Sequence, residues 1–161
     1  MILERIIMAK AHIRKGEARY LKSGGQWIYD NEIDRFEGDF EDGDILDVFD
    51  FDGYPLGKGF VNRNSKITIR MMTRKSDQII DEDFLRMRVT NAWEYRKSTM
   101  PKVDLNCARL IFGEADFLPG LVIDKYSDVL VVESLALGID RFKESIVDIL
   151  KELLESDGCH I

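Results

Sequence analysis

Three carboxylates stand close together in Gly113-Glu-Ala-Asp-Phe-Leu-Pro-Gly-Leu-Val-Ile-Asp-Lys-Tyr126: Glu114, Asp116 and Asp124. Two acids at i and i+2 can share a proton or hold a cation. The same acids also serve as turn formers. Asp116 precedes Phe-Leu-Pro-Gly120, where Pro119-Gly120 suits a tight turn and a short acid accepts bonds from backbone amides. The residues fit either role.

Other chemical groups are sparse. A thiol nucleophile needs a base. Neither Cys107 nor Cys159 has a credible one nearby, and His12 and His160 lie near opposite ends of the chain. The only His beside a Cys is His160, short of the about four ligands that zinc requires, so no metal is expected. Two unpaired cysteines fit reduced thiols, and the expected location is cytoplasmic. Gly57-Lys58-Gly59 lacks the third glycine of a dinucleotide loop and lies between strands rather than opening a helix. It reads as a strand where glycine admits a bulge or close backbone approach, with an RNA backbone beside Lys58 as the functional version.

Charge is segregated. The net charge is -7, which taken alone argues against nucleic acid. From Glu37 to Asp52 there are eight acidic residues and no basic one. From Gly53 to Ser76 there are six basic residues and no acidic one: Lys58, Arg63, Lys66, Arg70, Arg74 and Lys75. Such a pattern builds a positive face on an acidic protein, or two strand faces that neutralise each other.

The elements that must position these groups fall into two parts. The 161 residues allow one domain or two small ones. The N-terminus is broken by Glu4 and Arg5, too early for a secretory apolar segment, and no apolar run approaches the ~18 residues of a membrane span. Residues 1–75 read mostly as strand: Ile6 to Ile13, then a short helix from Gly16 to Ser23 with Ala18 and Leu21 inward, stopped by Gly24-Gly25. Trp27 to Tyr29 and Gly43 to Asp50 follow. Asp52-Gly53 signals a hairpin into Tyr54 to Asn62, and Ser65 to Met72 closes the set, with Thr68 and Arg70 facing away from Ile67 and Ile69. Many short strands with Gly-rich turns suggest a small barrel. Over residues 76–161 the pattern becomes mixed. Asp81 can cap a helix to about Lys97 with Leu85, Val89, Ala92 and Trp93 on one stripe. Strands are expected over Ala108–Phe112, Leu121–Asp124 and Val129–Leu135. A helix from about Asp140 to Glu155 should bury Phe142, Ile146, Ile149, Leu150 and Leu153. The expected fold class is α+β, with a boundary near residues 74–80.

Several segments resemble a known family. Leu21-Lys-Ser-Gly-Gly-Gln-Trp-Ile-Tyr-Asp-Asn-Glu-Ile33, Gly43-Asp-Ile-Leu-Asp-Val48 and Leu56-Gly-Lys-Gly-Phe-Val-Asn62 resemble a PUA domain, the RNA-binding pseudo-barrel of RNA-modifying enzymes. With Phe84 to Arg96 and Arg109 to Tyr126, the order resembles SAM-dependent methyltransferases that form 5-methylcytosine in large-subunit rRNA. The resemblance runs from Met8 onward, so residues 1–7 look like an extension. There are departures. Gly25-Gln26 stand where the family has His-Pro, and Phe117 stands where it has glycine. Neither Cys107 nor Cys159 matches the family's nucleophile, and its SAM-binding domain has no counterpart here.

The resemblance implies a PUA-type pseudo-barrel over 1–75 and a small mixed α/β central domain over 76–161, lacking its last strand or strands. It implies an RNA-binding portion of an rRNA methyltransferase. This chain by itself would hold no catalytic residue and no cofactor, and S-adenosylmethionine would serve the full-length protein. The expected RNA contacts are phosphates at Lys58, Arg63, Lys66 and Arg70, with Lys15, Arg19 and Lys22 lining the other side of a groove. Trp27 and Tyr29 are either stacking platforms or core. Glu114, Asp116 and Asp124 would face a cleft. The alternatives are a standalone RNA-binding adaptor and a non-RNA interaction module. An open sheet edge would make a homodimer, and no membrane partner is expected.

Overall fold

A computed structural model describes residues 9–159 of the chain. They divide into two compact units, one up to Gln78 and one from Ile79. No helix among the described residues is long and apolar enough to cross a membrane.

The first unit contains β1 (Lys10–Ile13), α1 (Arg19–Lys22), β2 (Trp27–Tyr29), β3 (Ile33–Glu37), β4 (Ile45–Phe49), β5 (Pro55–Val61) and β6 (Ile67–Thr73). Its strands form one sheet in the order β2-β6-β5-β4-β1-β3, curled into a half-barrel. β1 runs parallel to β4, and the other pairings are antiparallel. Alternation sets the inward face: in β4, Leu46 and Val48 are buried while Asp47 between them is only half-buried. Ala11, Ile13, Ile28, Val61 and Ile69 join them, and α1 closes the core with Ala18 and Leu21. Each large aliphatic side chain so buried contributes about 1.5–3 kcal/mol.

The glycine-lysine-glycine segment is strand, as the sequence suggests. A Cβ on Gly57 would stand 2.0 Å from the Thr73 carbonyl oxygen, and one on Gly59 would stand 2.6 Å from that of Arg70. Glycine lets β6 approach β5 here, and the register shifts between Lys58 and Gly59. The strand expected over Ile6–Ile13 is seen from Lys10, and its first part lies outside the described residues. Thr68 was expected on an outer face but is buried, its hydroxyl donating to the Ser65 carbonyl at 3.1 Å.

The second unit contains α2 (Glu82–Thr99), β7 (Cys107–Phe112), β8 (Leu121–Tyr126), β9 (Val129–Ser134), α3 (Leu137–Asp140) and α4 (Lys143–Ser156). The strands form an antiparallel meander, β7-β8-β9. The Asp81 carboxylate caps α2 by accepting the Phe84 amide at 3.0 Å. The stripe Leu85, Val89, Ala92 and Trp93 is buried as its spacing predicts. Ile146, Ile149, Leu150 and Leu154 form the buried face of α4. Leu153 is half-buried instead, because the stripe continues by i+4 steps from Ile146 through Leu150 to Leu154, and Phe142, also half-buried, stands at the N-cap ahead of the helix.

Candidate nucleic-acid interface

In the first unit, α1 and the turn before it project cations beside the tip of the β4–β5 hairpin. Arg14, Lys15, Arg19 and Lys22 line a concavity of about 110 Å³ with Asp50, Phe51 and Asp52. Asp50 builds the tip. It is 6% exposed, and its Oδ1 accepts the backbone amides of Asp52 at 3.1 Å and Tyr54 at 2.8 Å. Its Oδ2 takes the Lys22 Nζ at 2.7 Å. That hydrogen bond raises the Lys22 pKa and holds the Asp50 carboxyl below the usual aspartate range. Lys15 Nζ lies 5.8 Å from the Phe51 ring centre and Lys22 Nζ 5.7 Å from that of Tyr54. Phe51 is 48% exposed and Tyr54 64%. Flat rings interleaved with cations suit a nucleic-acid chain, because phosphates meet the cations and bases stack on the rings.

The structure thus brings Lys15, Arg19 and Lys22 together. It adds Arg14, Phe51 and Tyr54, which sequence reasoning passed over. The available signal was the Asp52-Gly53 turn, which forces its flanking aromatics to the surface.

The other expected contacts sit differently. Lys58 is opposite Asp47 in the β4–β5 ladder, its Nζ is 3.2 Å from Asp47 Oδ1, and its side chain is only 11% exposed. Arg63 is tied to Asp42: its backbone amide donates at 2.8 Å and its Nε at 3.0 Å, while its guanidinium lies 4.7 Å from the Phe40 ring centre. The acidic and basic segments therefore neutralise each other across β4 and β5 at these two positions. Lys66 is exposed in the β5–β6 turn. Arg70 is half-buried, with its guanidinium 5.5 Å from the Trp27 ring centre. Arg63 and Lys66 lie past the far end of β5 from the Asp50 tip, a strand of seven residues, or roughly 23 Å. Trp27 is half-buried and Tyr29 is 39% exposed at the end of β2.

Gly25, which stands in place of the family's expected histidine, is filled from elsewhere. The Tyr20 ring occupies the space where a Cβ on Gly25 would be, with its Cε1 2.2 Å from that position.

In the second unit two of the three carboxylates, Asp116 and Asp124, are bound to arginines, and Asp116 also to backbone. Asp116 takes Arg96 bidentately, with Nη1 at 3.0 Å and Nη2 at 2.5 Å, and its Oδ2 accepts the Phe112 amide at 2.7 Å. Arg96 also donates from Nε to the Arg109 carbonyl at 2.9 Å. Asp124 takes Arg109 bidentately at 2.8 and 2.9 Å, and that hydrogen bonding lowers its pKa. Glu114 is half-buried in the 3-10 turn Gly113–Asp116. Acids held this way position backbone rather than move protons. Cys107 is exposed at the start of β7, and no histidine occurs among the described residues of this unit.

Residues 11–74 match the family described as PUA-like domain. The ribosomal RNA large subunit methyltransferase I of Shewanella denitrificans is 34% identical over 150 residues, covering 92% of this chain and 37% of that protein. That of Alteromonas mediterranea is 33% identical over 146 residues, covering 91% and 37%. A candidate SAM-dependent methyltransferase from Streptococcus mutans has the same fold over 91% of this chain and 38% of its own, with a TM-score of 0.76 at 15% identity. A crystal structure of a candidate methyltransferase complexed with SAH matches equally, at a TM-score of 0.76. The chain spans about 37% of the length of the curated relatives it matches. It carries a PUA-like domain and is homologous to that part of the ribosomal RNA large subunit methyltransferases I.

Proposed function

We propose that this chain is the RNA-engaging portion of a SAM-dependent methyltransferase acting on large-subunit rRNA. The observation that carries this is the cluster of Arg14, Lys15, Arg19 and Lys22 around an aromatic hairpin tip in a PUA-like domain. The homologues' name supports rRNA as the partner. Lys66 and Arg70 are proposed as secondary contacts farther along the sheet, and Lys58 and Arg63 as residues that hold the sheet's own charge balance.

The methyl-transfer step is proposed as 5-methylcytosine formation. It requires SAM and a nucleophilic thiol, and neither the Gly57-Lys58-Gly59 segment nor Cys107 fits these needs. Gly57 and Gly59 are packed against the backbone of β6, so they cradle no cofactor. Cys107 is exposed and lies in a unit without a described histidine. Both requirements are assigned to the part of the relatives' length that lies outside the matched region.

The test is binding of a large-subunit rRNA fragment by fluorescence anisotropy across a salt series. Replacing Lys15, Arg19 and Lys22 with Glu should lower the slope of log K against log salt by about two to three. An unchanged slope and affinity would remove the assignment.

A second reading is self-association. β9 is an edge strand, with Val129 52% and Val131 50% exposed. Such an edge can pair with a second copy of itself. Sedimentation should then show a dimer that Val131→Lys dissociates, and a monomer at every concentration would dismiss it.

A further inference from the structure

The second unit holds a cleft of about 460 Å³ that the phosphate contacts of the first unit do not use. One wall is α2, where Arg88, Asn91 and Tyr95 follow one another at i, i+3 and i+7 and so share a face. The other wall is formed by Phe112 and Phe117, at the two ends of the 3-10 turn. Its three rings are unusually open for aromatics: Tyr95 is 59% exposed, Phe112 53% and Phe117 52%. The walls are tied together, because Arg96 of α2 clasps Asp116 and Asp116 accepts the Phe112 amide. The cleft is therefore preformed.

Each ring has an arginine against it. The Arg88 guanidinium carbon is 4.8 Å from the Phe117 ring centre, that of Arg96 is 5.3 Å from Tyr95, and that of Arg109 is 5.1 Å from Phe112. Phe117 also adopts φ = +58°, a left-handed backbone that glycine takes freely and phenylalanine rarely does. The turn thus holds a strained residue whose large apolar ring is left open to solvent. Strain of this kind gathers at ligand-binding positions.

We propose that this cleft binds a single unpaired nucleobase, stacked on the Tyr95 and Phe117 rings with Asn91 facing its polar edge. The lining favours a base over an apolar peptide. It is made of flat rings and guanidinium planes, with alanine as its only aliphatic residue type. Such surfaces stack on any base and attract the phosphate that accompanies it. The site rests on the RNA reading only for where the base comes from.

The experiment uses the 161-residue chain labelled with ¹⁵N, titrated with adenosine 5′-monophosphate up to ~10 mM, with ribose 5-phosphate as the base-free control. The proposal expects saturable amide shifts at Arg88–Arg96 and Phe112–Phe117 with the nucleotide and much smaller ones with the control, whose phosphate meets the arginines but which has no base to stack. Tyr95→Ala and Phe117→Gly should each weaken binding about tenfold or more. Both keep the fold, since both rings are largely exposed and glycine suits the left-handed position. The Lys15, Arg19 and Lys22→Glu variant should lose RNA-fragment binding and keep these nucleotide shifts, which separates failure of one site from failure of the other. Equal shifts with ribose 5-phosphate, shifts confined to the first unit, or no shifts at all would each overturn it.

Discussion

Truncating Asp116 to alanine should unfold the second unit under conditions where the wild type is stable. The Arg96 and Asp116 side chains are 11% and 8% exposed, and Asp116 accepts three hydrogen bonds, two from Arg96 and one from the Phe112 amide. Alanine leaves a buried guanidinium with only the Arg109 carbonyl as its remaining acceptor among the bonds described, and it strips the Phe112 amide of its acceptor. Breaking one side of such a pair costs roughly 3–5 kcal/mol. With a urea slope of about 1 kcal/mol/M for a unit this small, the midpoint should fall by about 3–5 M. Trp93 lies in the core of this unit, so its fluorescence reports the transition in a Trp27→Phe background. Asp116→Asn keeps one acceptor and should lose about half as much. Replacing both partners with apolar residues (Arg96→Met with Asp116→Leu) should recover most of the loss, because the desolvation cost is removed with the charges. A loss under about 1 kcal/mol for Asp116→Ala would refute the structural role and return this carboxylate to the list of chemical candidates.

Other outcomes follow from the same geometry. Asp124, hydrogen-bonded to Arg109, is held below the ordinary aspartate value, as are Asp50 through Lys22 and Asp42 through Arg63. A depressed carboxyl adds stability that is present above its unfolded pKa of about 3.9 and is lost as pH falls through its lower folded value. Urea midpoints should therefore be flat down to about pH 4 and fall below it, less steeply in Asp124→Asn; an identical fall in that variant would exclude the pair as a source. Gly25→Ala should displace the Tyr20 ring, which stands 2.2 Å from the added carbon, at a cost of about 1 kcal/mol. Adding Tyr20→Ala should remove that cost, and strictly additive losses in thermal melts would contradict the contact. Gly57→Ala meets backbone rather than a movable ring, at 2.0 Å from the Thr73 oxygen and with φ = +129°. It should prevent the first unit from folding, seen as lost amide dispersion.

Local signals carried much of the fold. The α2 stripe, its Asp81 cap and the Asp52-Gly53 hairpin all follow from rules spanning a few residues, and all are present. β3 was invisible because it is an edge strand with only Ile33 buried, so it shows no alternation to read. The glycines flanking Lys58 were legible as a close approach, but the Lys58–Asp47 and Arg63–Asp42 pairs depend on ladder register, which a charge run does not reveal. Asp116 was legible as an acid that bonds backbone, whereas its main partner lies 20 residues away on a helix. The left-handed Phe117 could be suspected only because glycine was expected there. Phe51 and Tyr54 were missed because Asp52-Gly53 was read only as a hairpin signal, without the exposure that a tight turn gives the residues flanking it.

The central claim is that the α1 cations and the hairpin tip hold RNA. Photo-crosslinking of the chain to a large-subunit rRNA fragment, with mass spectrometry of the joined peptides, tests it most directly. Crosslinks at Tyr20, Phe51 and Tyr54, lost when Lys15, Arg19 and Lys22 are changed to Glu, are the predicted result. Crosslinks that avoid this face, or that persist unchanged in the triple variant, would contradict it.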